Sequence, residues 1–235
     1  VAEQANYHYK SYVGGELYKS GSYLTQYVGE NQAPGDQYGK RLDSTPLDNH
    51  VQTTVDIYRS FLFRTLPKRE LGLLINNPLV NAWLYDTDQE GQNLDSFLKT
   101  VNDGAMVQGG MWILVDKPSY KVQTQAEAIE LGIRAYAAAY TPQNVLDWYY
   151  ERSVTGKMEL EYIKVRESEN DEYVTFTCWH KNYVEKYKVA KDDQGEMMKI
   201  DHYEEHENPL GYIPFVFHAP LKSPTKGVGI SVVAD

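Results

Sequence analysis

A single cysteine, Cys178, in 235 residues excludes an internal disulfide and a multi-cysteine zinc site. No apolar run reaches the roughly 18 residues that a membrane-spanning helix needs. Positive charge is also scarce. Lys and Arg number 23 against 33 Asp and Glu, a net charge of −10. That argues against a general nucleic-acid binder, which displaces counterions with cationic surface. No phosphate-loop string occurs. The nearest approach, Lys226-Gly227-Val228-Gly229-Ile230-Ser231, follows no strand-to-helix unit. No internal repeat or low-complexity tract stands out, and no signal-peptide pattern is read at the opening Val1.

What is present describes one large domain or two small ones, long enough to bury about 70% of the unfolded surface. Tyrosine is abundant, at 20 residues, and suits half-buried surfaces with one wet end. The chain centres on 91–118. Leu94, Phe97, Leu98, Val101 and Ala105 form one helical stripe, with Asn93 placed to cap it. Gly109-Gly110 ends that helix, one of the two at positive φ. Met111–Val115 runs apolar without alternation, as a strand covered on both faces does. Asp116-Lys117-Pro118 stops it. Asp116, at the strand's end, is the position of a catalytic carboxylate in many enzymes, but no nucleophile or metal set follows, so a plain polar exit is the expectation.

Upstream, short helices separated by Gly14-Gly15 and Gly21 are expected, then a loop over 31–39. Thr45-Pro46-Leu47-Asp48 reads as a helix start, and Leu47, Val51, Val55, Tyr58 and Leu62 as the buried stripe of a helix from 46 to 63. A short helix before Asn77-Pro78 follows. Thr124 and Glu127 form a capping box, with Ile129, Ile133, Tyr136 and Tyr140 marking one face after it. From 145 to 206 the pattern is an antiparallel meander, with turns at Thr155-Gly156, Glu169–Asp171 and Asp192–Gly195. A parity switch between Tyr162 and Ile163 implies a bulge. A strand over 213–217 and a loop over 220–231 close the chain. The fold class is therefore α+β: helices on a small mixed sheet, then an antiparallel meander, divided as 1–144 and 145–235.

Four groups invite chemistry. Asp86, Asp88, Glu90 and Gly91 match the start of a calcium loop, but Phe97 stands where a bidentate Glu is required. His202, Glu205 and His206 match H-x-x-E-H, the string of a zinc hydrolase. On a strand these two histidines sit about 13 Å apart, too far to share a metal. Cys178 lacks an activating neighbour and reads as buried and structural. Lys181, Lys186, Lys188 and Lys191, interleaved with Tyr183 and Tyr187, could touch nucleic acid but suit a solvent-facing strand better. No residue is assigned as catalytic, cofactor-binding or metal-binding.

In order and spacing, several segments together resemble the portal proteins of tailed bacteriophages. They are Gly15-Glu16-Leu17, Tyr23-Leu24, Glu30, Tyr38, Arg41-Leu42 and Leu47-Asp48-Asn49, then VDIYRSFLFRT at 55–65 and DTDQEGQNLDSFL at 86–98. GGMWILVDKP at 109–118, TPQNVLDWYYE at 141–151 and NPLGYIPFVFHAP at 208–220 complete the set. The resemblance implies a structural, non-catalytic ring, usually a dodecamer, at one capsid vertex of the virion, assembled in the host cytoplasm. Implied partners are the major capsid protein, the terminase, head-completion or tail adaptor proteins, and double-stranded DNA passing through the channel, with no membrane and no cofactor. It implies that 1–235 is mainly wing, with stem, clip and crown absent, and that this part's own contacts are polar and tyrosine-rich. The competing readings are a metal-dependent hydrolase using His202, Glu205 and His206, and another virion connector or adhesion module.

Overall fold

The structure, a computed structural model, describes residues 1–20, 23–30, 37–46, 48–118, 120, 122–192 and 194–234. Helices come first: α1 (Ala2–Val13), α2 (Gly15–Lys19), α3 (Gln37–Ser44), α4 (His50–Leu62), a 3-10 turn (Gly72–Asn76), α5 (Pro78–Tyr85) and α6 (Leu94–Gln108). Strand β1 (Met111–Asp116), helix α7 (Gln125–Glu130) and strand β2 (Tyr136–Tyr140) follow. The meander is β3 (Val145–Arg152), β4 (Met158–Glu169), β5 (Tyr173–His180), β6 (Tyr183–Lys191) and β7 (Met197–Glu207). β8 (Phe215–His218), β9 (Leu221–Lys222) and β10 (Gly229–Ile230) end the chain. The fold is α+β, as expected, and the five meander strands lie in sequence order, every pair antiparallel.

The 91–118 unit is the centre. Asn93 accepts a hydrogen bond from the Ser96 N–H and starts α6. Phe97, Val101 and Ala105 are buried, while Leu98 at the stripe's edge is partly exposed. Gly109 takes φ 88° and turns the chain into β1. β1 then faces two ways, because side chains alternate along a strand. Met111 and Ile113 pack with Phe97, Val101 and Ala105 of α6. Trp112 and Leu114 join Ile163, Val165, Trp179 and Val184 of the meander. Only Val115 departs from the two-sided burial expected, being exposed near the strand's exit. The second cluster takes residues from before and after position 144, so one core ties the helical and strand-rich parts together.

The end of α6 is locked from the far end of the chain. The last carbonyls of a helix lack intrahelical donors. Here the Val232 N–H donates to the Met106 carbonyl, and the buried Ser231 Oγ lies 2.7 Å from the Val107 carbonyl and 3.0 Å from that of Met106. Backbone meets backbone at this point. A Cβ on Gly109 would lie 3.0 Å from the Gly229 carbonyl oxygen, and one on Gly229 would overlap the Gly109 carbonyl. The Gly227–Ser231 run that resembled a phosphate loop is thus a packing device, and Trp148 donates its Nε1–H to the Lys226 carbonyl beside it.

Several local expectations are corrected. The small sheet, in order β2-β1-β8, is antiparallel throughout rather than mixed. α4 begins at His50 under an Asn49 cap, because the Thr45 hydroxyl is engaged with the Arg41 carbonyl at the end of α3; Leu47 lies outside the described residues, as do Gly21 and 31–36. Residues 37–39, the described end of the expected loop, begin α3. The short helix expected before Asn77-Pro78 is the 3-10 turn, which ends at the Asn77 cap, and the same Asn77 then starts α5, accepting from Leu79 and Val80 N–H with proline pre-set for the first turn. α7 stops at Glu130 and Gly132 turns the chain at φ 67°, so Tyr136 and Tyr140 lie on strand β2. The β4 bulge leaves Glu161 unpaired, one residue before the expected site: Tyr149 faces Tyr162 and Tyr150 faces Leu160. The strand expected over 213–217 is β8 at 215–218, and β9 pairs with β10 inside the expected loop.

Two outcomes follow from this packing. Gly229→Ala should lower stability by more than about 2 kcal/mol, because the added methyl meets backbone that cannot rotate away. Gly39→Ala, on a helix with open space at the Cβ position, should be neutral or stabilising by about 0.5 kcal/mol. Urea midpoints measure both, and equal midpoints would contradict the lock. Alkaline stability offers a separate check. Burial, then the Asp116 carboxylate that its hydroxyl faces at 3.4 Å, push the Tyr136 pKa up to about 12. A folded pKa above the unfolded value of about 10 contributes stability that is full below pH 10 and lost as pH rises toward 12. Tyr136→Phe should therefore flatten the fall in stability across that window.

Candidate assembly surfaces

The sequence-singled residues fall into structural roles. Asp116 pairs with Tyr136 at the strand end and accepts its hydroxyl hydrogen bond. In the calcium-like loop, Asp86 accepts from the Gly91 N–H and pairs with Arg134 at 2.6 Å. Asp88 accepts from the Glu90 and Gln92 N–H groups. Burial raises the Asp88 pKa, but those backbone donors outweigh it and hold the carboxyl below its ordinary value. The carboxylates thus fasten the turn that leads into α6. Cys178 is buried; burial pushes its thiol pKa up, and the Tyr162 hydroxyl donates toward its sulfur at 3.5 Å. A thiol held protonated is a poor nucleophile.

His202, Glu205 and His206 do lie on a strand, β7. His202 faces Lys188 and His206 faces Val184, whereas Glu205 faces Glu185. Val184 and Lys188 share one face of β6 and Glu185 takes the other, because faces alternate residue by residue. The glutamate therefore points away from both histidines. It accepts a hydrogen bond from the Tyr203 hydroxyl at 2.7 Å, and His202 lies 2.9 Å from Glu204. No group of three metal-ligating side chains is found among the described residues. The basic run is largely matched as well: Lys181 pairs with Glu159 and Glu161, Lys191 with Glu169, and Lys188 sits 3.8 Å from the Tyr173 ring.

What the sequence did not foretell is where the apolar surface remains open. Tyr58 and Leu62, expected in the core, are exposed, because α4 turns Val51 and Val55 inward and leaves the rest of its stripe in solvent. Phe61 is 70% exposed, and Leu66, Leu73, Leu74 and Ile75 continue the surface through the segment after α4 and the 3-10 turn. From Ser60 to Glu70 every residue but Phe63 is exposed, and 66–71 carry no regular secondary structure. The exposed side chains of this ridge are mainly leucine, isoleucine and phenylalanine, with Tyr58 among them. The second open surface is β7. It is one of the two edge strands of the meander, and ten of its eleven residues are exposed, among them Met197, Met198, Ile200 and Tyr203. Helical spacing marked Tyr58 and Leu62 as apolar; it could not say which face the neighbours would leave uncovered.

A zinc titration should give no stoichiometric site dependent on His202 and His206, and His202→Ala should leave any weak binding unchanged. A tight one-to-one site lost in that variant would contradict the opposed faces described here. Comparison with protein-family models gives no matching family, and comparison with curated proteins gives no match.

Proposed function

We propose that this chain is the wing part of a tailed-bacteriophage portal protein, a structural ring subunit at the capsid vertex through which DNA enters and leaves. The observation that carries the reading is the run of exposed large apolar side chains at 57–75, with Met197, Met198, Ile200 and Tyr203 exposed on the edge strand β7. Exposed apolar side chains concentrated in one segment mark interaction surfaces, whereas singly scattered ones do not. The resemblance gives the assembly its kind. Its segments GGMWILVDKP, TPQNVLDWYYE and NPLGYIPFVFHAP supply β1, the entry to β3 and β8, which meet in one core. The net charge of −10 suits a part of the ring that does not hold DNA. In this reading the wing lies at the rim, the channel and the terminase and tail contacts are made elsewhere in the ring, and no bond is made or broken by this chain.

Electron micrographs of the protein in its natural full-length form test the proposal. Closed rings of uniform diameter are expected, and residues 1–235 alone should be folded and largely monomeric at micromolar concentration. Monomers or small dimers of the full-length form at every salt concentration would remove the reading.

A further inference from the structure

The two open apolar surfaces carry opposite charge. Across 57–75 the charged residues are Arg59, Arg64, Lys68 and Arg69 against Glu70. Arg59 is paired with Asp56 and Asp103, and Arg69 with Asp95, but Arg64 and Lys68 are exposed and make no ion pair among the described residues. From Glu196 through β7 the balance reverses: Glu204 faces Lys186 of β6 and lies beside His202, but Glu196, Asp201, Glu205 and Glu207 still stand against Lys199. β7 also lies at a sheet edge, where its outward N–H and C=O groups have no strand partner among the described residues.

These facts decide which pairing is favoured. Ridge against ridge would bring Arg64 and Lys68 onto their own copies. Edge against edge would bring two rows of carboxylates together. Like charges placed face to face across an interface cost several kcal/mol, whereas opposite charges steer and fix the contact. Only ridge against edge satisfies both surfaces, covering apolar side chains with apolar side chains and cations with carboxylates. Within a single copy, α4 packs on α1 and α6, and β7 packs on β6.

We infer that copies of this chain associate head to tail, the basic apolar ridge at 57–75 of one covering the acidic apolar edge strand β7 of the next. The contact is heterologous, so every copy keeps one ridge and one edge free for further copies. The association closes into a ring or runs on as a filament according to its rotation. The inference deepens the assembly reading above by naming the partner and both surfaces. Its failure is separable from that reading: rings built through other surfaces would keep the portal proposal and overturn this one.

The test uses two variants at exposed positions, so that folding is preserved and checked by circular dichroism. Phe61→Ser/Leu66→Ser removes the ridge, and Met198→Ser/Ile200→Ser removes the edge. Light scattering coupled to gel filtration, run up to several hundred micromolar, should show wild-type mass rising with concentration. Each variant alone should stay monomeric. Mixed one to one they should form a heterodimer that grows no further, because one live ridge meets one live edge. A single variant that still dimerises by itself would show self-facing contacts and overturn the inference, as would wild-type protein that stays monomeric throughout. Charge reversal gives a second arm. Arg64→Glu/Lys68→Glu should weaken wild-type association roughly tenfold or more, and mixing it with Glu196→Lys/Asp201→Lys/Glu207→Lys should restore it. No restoration would mean that the opposed charges do not meet.

Discussion

Everything in this fold hangs on the approach of two backbones at the end of α6. The helix must reverse into a buried strand within two residues, and Gly109 at φ 88° makes that turn. The turn leaves helix carbonyls without donors, and residues 231 and 232 supply them from more than a hundred positions away. Gly229 reaches that point because neither it nor Gly109 carries a side chain. The same approach fixes β1, whose two faces divide the interior: α6 on one, the meander on the other. A loose helix end would free the strand that both halves of the chain are built upon.

Much of this centre was legible in the sequence. Asn93, the glycine pair and the unbroken Met111–Val115 run each carry a local physical signal, and cap, turn and strand all formed. The meander was legible for the same reason, with turn residues punctuating β-branched and aromatic runs. Legibility failed where two local signals competed or where tertiary packing decided. Thr45 and Asn49 can both cap a helix, and only the position of α3 shows that Thr45 is already engaged. Tyr136 and Tyr140 fit helical spacing from Ile129, yet pairing with β1 drew them into a strand. The glycines at 227 and 229 looked like a ligand loop because a close approach to phosphate and to another backbone ask for the same residue.

The open surfaces were the least legible part of the molecule. A sequence pattern shows that Tyr58, Phe61, Leu62 and Leu66 are apolar; it does not show whether anything in the same chain covers them. The H-x-x-E-H string is the opposite case. Its letters match a site, but the strand reading held, and strand alternation also turns Glu205 away from His202 and His206. In both cases the function-bearing information lies in which face a residue takes, and that is set by the elements packed around it.

The proposed contact between copies covers the ridge of one with the edge strand of the next. Hydrogen exchange followed as a function of protein concentration tests it most directly, because it reads the outward amides of β7 and those of 60–70 in one experiment. Protection in both stretches should rise together with concentration, while the amides of α1 and β3 stay unchanged. Protection that rises in one stretch without the other, or in neither, would contradict the claim.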